Sequence, residues 1–159
     1  MAGKIANIIV AGLGGQGVLK ASDIISEAVF LAGFDIKKSE VHGMSQRGGS
    51  VCSDIRYGEA VFSPMVPEGE ADYLVVLSED QVENNRHQLR EGGVLITPSM
   101  IDENKLTNKK SLNVALLGVL SRNMDIDRSF WLDSIRANLP EKIHEVNFQA
   151  FEIGRSIGN

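Results

Sequence analysis

Lys4-Ile5-Ala6-Asn7-Ile8-Ile9-Val10-Ala11-Gly12-Leu13-Gly14-Gly15-Gln16-Gly17-Val18 is the stretch that decides the fold. Its first half grows steadily more apolar and β-branched, as expected of a strand covered on both faces. Glycines then crowd the chain. From Val18 onward Val18, Ala21, Ile25, Ala28, Val29 and Ala32 recur at helical spacing, and Gly33 supplies the stop. A strand, a glycine turn and a helix in that order open an α/β domain.

Gly12, Gly14 and Gly17 satisfy G-x-G-x-x-G in the context that the dinucleotide-binding pattern requires. The glycines permit a tight turn with close backbone approach, and the helix start presents free N–H groups to an anion. An acidic residue at the end of the second strand, about 20 residues on, completes that pattern. Asp35 stands at the start of its strand and Glu40 lies further along, so neither is well placed. NAD-type binding, another phosphate-bearing ligand and a purely structural turn all stay open. Gln16 adds an amide within reach of a ligand or a partner chain.

Downstream, Phe34 to Ser39 reads as a second strand. Ser50 to Tyr57 alternates, with Val51, Ser53, Ile55 and Tyr57 on one face, and Gly58-Glu59 turns it towards Ala60 to Ser63 as a β-hairpin. Asp72 to Ser78 is a buried strand. Glu79 to Arg90 is a polar helix with Val82 and Leu89 inward, and Gly92-Gly93 leads into a strand from Val94 to Thr97. Met100 to Ser111 is irregular and polar. Three helices are expected after it: one on Leu112, Ala115, Leu116, Val119 and Leu120, one capped by Asp127 and reaching Leu139, and one opened by Pro140.

Composition narrows the function. At 159 residues the chain holds one core, with no room for two full cofactor domains. A net charge of −5, with only Lys37-Lys38 and Lys109-Lys110 as paired basic residues, argues against nucleic acid as partner. No apolar run approaches the roughly 18–20 residues of a membrane span, and no signal-peptide stretch is visible, so a cytoplasmic location is expected. The single cysteine, Cys52, forms no internal disulfide, ordinary structural zinc site or four-cysteine cluster. Any metal of the activity is therefore expected on another chain. Cys52 itself reads as a small packing residue, His87 and His144 as solvated, Asn113 and Asn147 as bonded to neighbouring backbone, and Trp131 as core.

The segment Glu40-Val41-His42-Gly43-Met44-Ser45-Gln46-Arg47-Gly48-Gly49 is costly to order, and it follows a strand on the carboxyl edge where open α/β sheets bind ligands. Arg47 beside Gly48-Gly49 offers a bidentate guanidinium next to accessible amides, a receptor for carboxylate or phosphate. The bland alternative is a salt bridge at a subunit interface. His42 is a candidate acid or base without a sequence partner for a triad, or simply a residue that bonds its own loop.

Together, Gly12 to Gly17 and Glu40 to Val51 resemble the gamma-type subunits of 2-oxoacid:ferredoxin oxidoreductases, with Val41-His42-Gly43-Met44-Ser45-Gln46-Arg47-Gly48-Gly49 nearest to the indolepyruvate type. Asp72-Tyr73, Gly92-Gly93, Asn113 to Leu120, Asn147, Ala150-Phe151 and Gly154 extend the resemblance over nearly the whole chain. It implies a single three-layer α/β/α domain over residues 1–159, which the pattern above fills with a mostly parallel sheet and a β-hairpin. It further implies an accessory subunit of an enzyme that decarboxylates a 2-oxoacid oxidatively with coenzyme A. Thiamine diphosphate, Mg and iron–sulfur clusters would sit on partner subunits, and ferredoxin would be met through the complex. This chain carries no Gly-Asp-Gly thiamine motif and is expected to bind no cofactor alone, with a homodimer as the option in isolation. Gly12, Gly14, Gly15, Gln16, Gly17, His42, Met44, Gln46, Arg47, Gly48 and Gly49 are the expected ligand or subunit contacts. The alternative function is a stand-alone binding module for coenzyme A or another phosphate-bearing ligand. Between Thr97 and Asn113 the family usually carries a longer segment with a further strand. Met100, Ile101 and Leu106 are too few to replace it, so one edge strand is expected to be missing.

Overall fold

A computed structural model describes residues 3–42 and 49–157. Five strands, β1 (Ala6–Leu13), β2 (Asp35–His42), β3 (Ser50–Gly58), β4 (Ala71–Val76) and β5 (Leu89–Ile96), form one sheet in the order β2-β3-β1-β4-β5. β1 pairs parallel with β4, and β4 with β5, whereas β3 is antiparallel to both β1 and β2. Four strands therefore share one direction and β3 alone opposes them. The sheet is mostly parallel in strand direction and mixed in its pairing. β1 is central, which explains why Ile8, Ile9, Val10 and Ala11 are all buried and why its sequence does not alternate.

Helices α1 (Val18–Leu31) and α3 (Leu112–Asn123) pack on one face of the sheet, with α4 (Arg128–Asn138) behind α1 and α5 (His144–Ile157) behind α3. Ile8, Val10, Ile55, Val75 and Ile96 from the strands meet Ile24, Ile25, Leu116, Leu120, Trp131 and Phe151 in this main core. Two buried polar links pin the layers: Ser22 with the Ser53 hydroxyl across α1 and β3, at 2.6 Å, and the Ser134 hydroxyl donating to the Ile24 carbonyl across α4 and α1, at 2.6 Å. The opposite face is covered thinly. The extended segment after β3 and the short helix α2 (Val82–Asn85) lay Val66 and Val82 over Ile9, Leu74 and Val76. Three layers are present, and they are unequal. No described helix is long and apolar enough to cross a membrane.

α3 and α5 cross at glycines. A Cβ on Gly154 would overlap the Ala115 carbonyl oxygen, and one on Gly118 would overlap the Phe151 carbonyl oxygen. Backbone thus meets backbone, and the two helices bury Ala150 and Phe151 against Ala115 and Leu116.

Several expectations need correction. The hairpin partners are β2 and β3, not β3 and Ala60–Ser63. Both edges of β3 are already occupied by β1 and β2, so the Val61 N–H donates instead to the Asp35 carboxylate at 2.7 Å. β2 extends through Glu40-Val41-His42, read earlier as loop, because His42 still pairs with Val51. The polar helix of Glu79 to Arg90 is broken into 3-10 turns around α2, and Leu89 is drawn into β5 opposite Ala71. With Val82 as its only buried residue, that stretch lacks the apolar stripe that stabilises a longer helix. Residues 98–111 form three 3-10 turns and no strand, as the shortened segment predicts, yet Ile101 and Leu106 join the main core. Asp127 caps α4 as expected, accepting from the Ser129 N–H at 3.1 Å. Pro140 sits one residue earlier than expected, as the cap of a 3-10 turn that runs into α5.

Candidate functional site

The carboxyl ends of β1 and β2, and the start of the opposed strand β3, lie at one edge of the sheet. Gly12 pairs with Val51 and Leu13 with Ser50, and the Gly14 N–H donates to the Gly49 carbonyl at 2.9 Å. The glycine turn and the end of the Arg-Gly-Gly loop are therefore in direct backbone contact, as their shared place at the carboxyl edge predicts. Met44, Gln46, Arg47 and Gly48 lie outside the described residues. His42 is exposed at the last position of β2.

Within the turn the glycines have different tasks. Gly15 and Gly17 adopt φ of 87° and 84°, the left-handed region that disfavours side chains. Gly12 makes room: a Cβ there would lie 2.9 Å from both Gln16 Oε1 and Val18 Cγ2. Gln16 folds back on the turn, its Oε1 accepting the Leu13 N–H at 2.7 Å, so half of its amide serves the loop rather than a ligand. Gly12 is thus a packing position behind the turn, whereas Gly15, Gln16 and Gly17 face the open side.

That open side is a cleft of about 490 Å³ lined by Gly15, Gln16, Gly17, Leu77, Lys109, Lys110, Leu112 and Asn113. Lys109, Lys110 and Asn113 were not among the candidates read from sequence. Lys109-Lys110 is visible there as a basic pair, but nothing in its surroundings shows that it faces a turn almost a hundred residues earlier. Asn113, expected to bond nearby backbone, accepts from the Val114 N–H at 2.9 Å and also donates to the Gly17 carbonyl at 3.3 Å. α1 and α3 both start at this cleft, and the cap residues Gly17 and Ser111 offer no side-chain hydrogen bond to either helix. None of the lining residues is acidic. Two lysines, two helix starts and a glycine backbone give the cleft lining a positive character in a chain of net charge −5, although Lys109 also borders a neighbouring hollow lined by Glu79, Asp102 and Glu103.

Asp35 and Glu40, the acids nearest the ribose position of the dinucleotide pattern, are engaged elsewhere. Asp35 begins β2, at the far end from the turn, and the Val61 N–H beside it holds its carboxyl below the usual range. Glu40 lies 3.6 Å from Lys38. Cys52 packs against the smaller core, and burial pushes its thiol up to about 11. His144 is not simply solvated: its Nε2 lies 2.6 Å from the Leu139 carbonyl. Among the described residues no three His, Cys, Asp or Glu side chains gather as a metal site would require.

A strand–glycine turn–helix whose cleft opens at the carboxyl edge places the chain among α/β domains that work through that edge. Residues 7–157 match the family model described as pyruvate ferredoxin/flavodoxin oxidoreductase. Indolepyruvate oxidoreductase subunit IorB of Thermococcus kodakarensis is 33% identical, over 95% of this chain and 95% of its own length. The chain belongs to the pyruvate ferredoxin/flavodoxin oxidoreductase family. Among solved structures, the gamma subunit of a keto/oxoacid ferredoxin oxidoreductase from Geobacter sulfurreducens shares the fold with a TM-score of 0.82 at 23% identity, covering 96% of this chain and 97% of that one. The 2-oxoglutarate:ferredoxin oxidoreductase of Magnetococcus marinus gives a TM-score of 0.84 at 18% identity, covering 98% of this chain but 31% of that longer one. The same fold thus occurs both as a separate subunit and as one part of a larger chain.

Proposed function

We propose that this chain is the gamma-type accessory subunit of a 2-oxoacid:ferredoxin oxidoreductase that decarboxylates its substrate oxidatively in the presence of coenzyme A. The observation that carries this reading is the end-to-end match, 95% of both chains, to a subunit of an indolepyruvate oxidoreductase. The same likeness favours an aryl pyruvate as the oxoacid. Thiamine diphosphate, Mg and iron–sulfur clusters belong to partner subunits on this reading, since one cysteine cannot supply four thiolates.

The donor set at the carboxyl edge fits the phosphates of coenzyme A: Lys109 and Lys110 supply charge, and the backbone N–H groups at the start of α1 supply directional hydrogen bonds. Coenzyme A supplies the thiol that accepts the acyl group. This chain's task is to hold the phosphates while Gly12 to Gly17 and His42 to Gly49 pack against the thiamine-binding subunits.

Anaerobic purification of the native protein from its source tests the assignment. The chain is expected to elute with iron-containing partners, and recovery alone, without such a partner, would remove it. The cleft also supports a second reading, a stand-alone module for a phosphate-bearing ligand. On that reading the isolated chain gains about 2.7 kcal/mol at a hundredfold excess of coenzyme A over its Kd. The accessory-subunit reading expects no such gain until the partners are present.

A further inference from the structure

We propose that Asn113 is a positioning residue for the phosphate-bearing ligand, a strut that fixes the distance between the glycine turn and the lysine-bearing turn. The inference rests on the coenzyme A reading of the cleft. Its two walls come from distant parts of the chain: Gly15 to Gly17 lead into α1, while Lys109 and Lys110 lead into α3. Among the described residues one hydrogen bond joins them, from Asn113 Nδ2 to the Gly17 carbonyl at 3.3 Å.

The amide is held at both ends. Its Oδ1 accepts the Val114 N–H at 2.9 Å, which fixes the side chain to the first turn of α3. The Gly17 carbonyl also accepts the Ala21 N–H at 2.9 Å, the bond that starts α1. Asn113 therefore grips the first turn of one helix from the first turn of another. Gly17 is shaped for this grip: a Cβ there would lie 2.5 Å from Asn113 Nδ2, in a backbone conformation that already favours glycine. On the other wall the lysines follow α3 closely. The Asn108 side chain accepts from the Lys110 N–H at 2.9 Å, and the Ser111 hydroxyl donates to the Asn108 carbonyl at 2.5 Å. That hydrogen-bonded turn runs directly into α3, so a shift of the helix start carries both lysines with it.

The test uses the assembled complex, with coenzyme A binding followed by titration calorimetry and KM measured for coenzyme A and for the 2-oxoacid. Asn113→Ala is expected to weaken coenzyme A binding about tenfold and to raise its KM in step, with the 2-oxoacid KM unmoved. Asn113→Asp keeps the size and the Val114 acceptor but turns a carboxylate oxygen towards the Gly17 carbonyl and the ligand phosphates, so it is expected to bind more weakly still. Thermal melting of each complex separates these effects from loss of folding. If both Asn113 variants bind coenzyme A as the parent does, while a Lys109→Ala/Lys110→Ala double variant binds weakly, the strut is overturned and the cleft reading stands. If the double variant also binds normally, the cleft reading itself falls. A parallel rise in both KM values assigns Asn113 to general folding and overturns the proposal.

Discussion

Cys52 shows how a strand's alternation decides the chemistry of one residue. Its side chain points to the thinly covered face and packs with the smaller core, where burial raises the thiol to about 11. At pH 7 roughly one part in ten thousand is then thiolate, and the thiolate is the reactive form. Alkylation of the folded chain by iodoacetamide at pH 7 is expected to run at least about a hundredfold slower than that of free cysteine. A comparable rate would contradict the packing described above. The helix crossing is as exacting for a different reason. At Gly154 the space beyond Cα is filled by the Ala115 carbonyl, so Gly154→Ala must push α5 away from α3 along their whole contact. Overpacking of this kind costs about 3 kcal/mol, read as a lower urea midpoint. An unchanged midpoint would show that the helices can slide apart freely.

At the scale of elements, the parts legible in the sequence are those set by local chemistry. The glycine turn, the covered strand before it, the Asp127 cap and the start of the last helix near Pro140 are each dictated by residues within one or two turns. The parts that were not legible depend on which strand edges remain free and on what lies across the cleft. Ala60 to Ser63 has strand-like residues but no edge to join, since β3 is flanked on both sides. Ile101 and Leu106 sit in a polar stretch without periodicity, yet the hollow beside α3 takes them into the core. Asn113 finds its carbonyl 96 residues away, beyond the reach of any spacing rule. Asp127 supplies a pH test of the local part. Hydrogen bonds from the Ser129 hydroxyl and N–H hold its carboxyl below the usual range. Its contribution is therefore present above the carboxylate's unfolded value and is lost as pH falls through the lower folded value. Asp127→Ala is expected to lower the urea midpoint at pH 7 and to leave it unchanged in strong acid. Equal losses at both would refute the cap.

For the whole molecule, the placement of β3 brings the glycine turn and the start of β3 together. Because β2 runs with β1 and β3 returns against both, the end of β2 and the start of β3 lie at the edge where the glycine turn stands, and the Gly14 N–H donates to the Gly49 carbonyl there. His42 and Gly49, the described residues on either side of Arg47, stand at the same edge as the cleft. Arg47→Ala is expected to fold and to assemble into a complex that has lost most of its turnover, measured as ferredoxin reduction by the oxoacid. Full activity would release the loop from the role proposed for it.

Trp131 gives the molecule a built-in reporter. It is the only tryptophan of the chain, fully buried in the helical layer, 5.9 Å from the Phe151 ring, and its indole N–H has no hydrogen-bond partner among the described residues. An indole in this apolar, unhydrogen-bonded setting is expected to emit to the blue of one in water. On the stand-alone reading, and once calorimetry has shown that the isolated chain takes up coenzyme A, the titration can be followed by this single emitter. Because it does not line the cleft, a colour change would mean that α4 has moved, and constancy would mean that ligand and helical layer are mechanically separate.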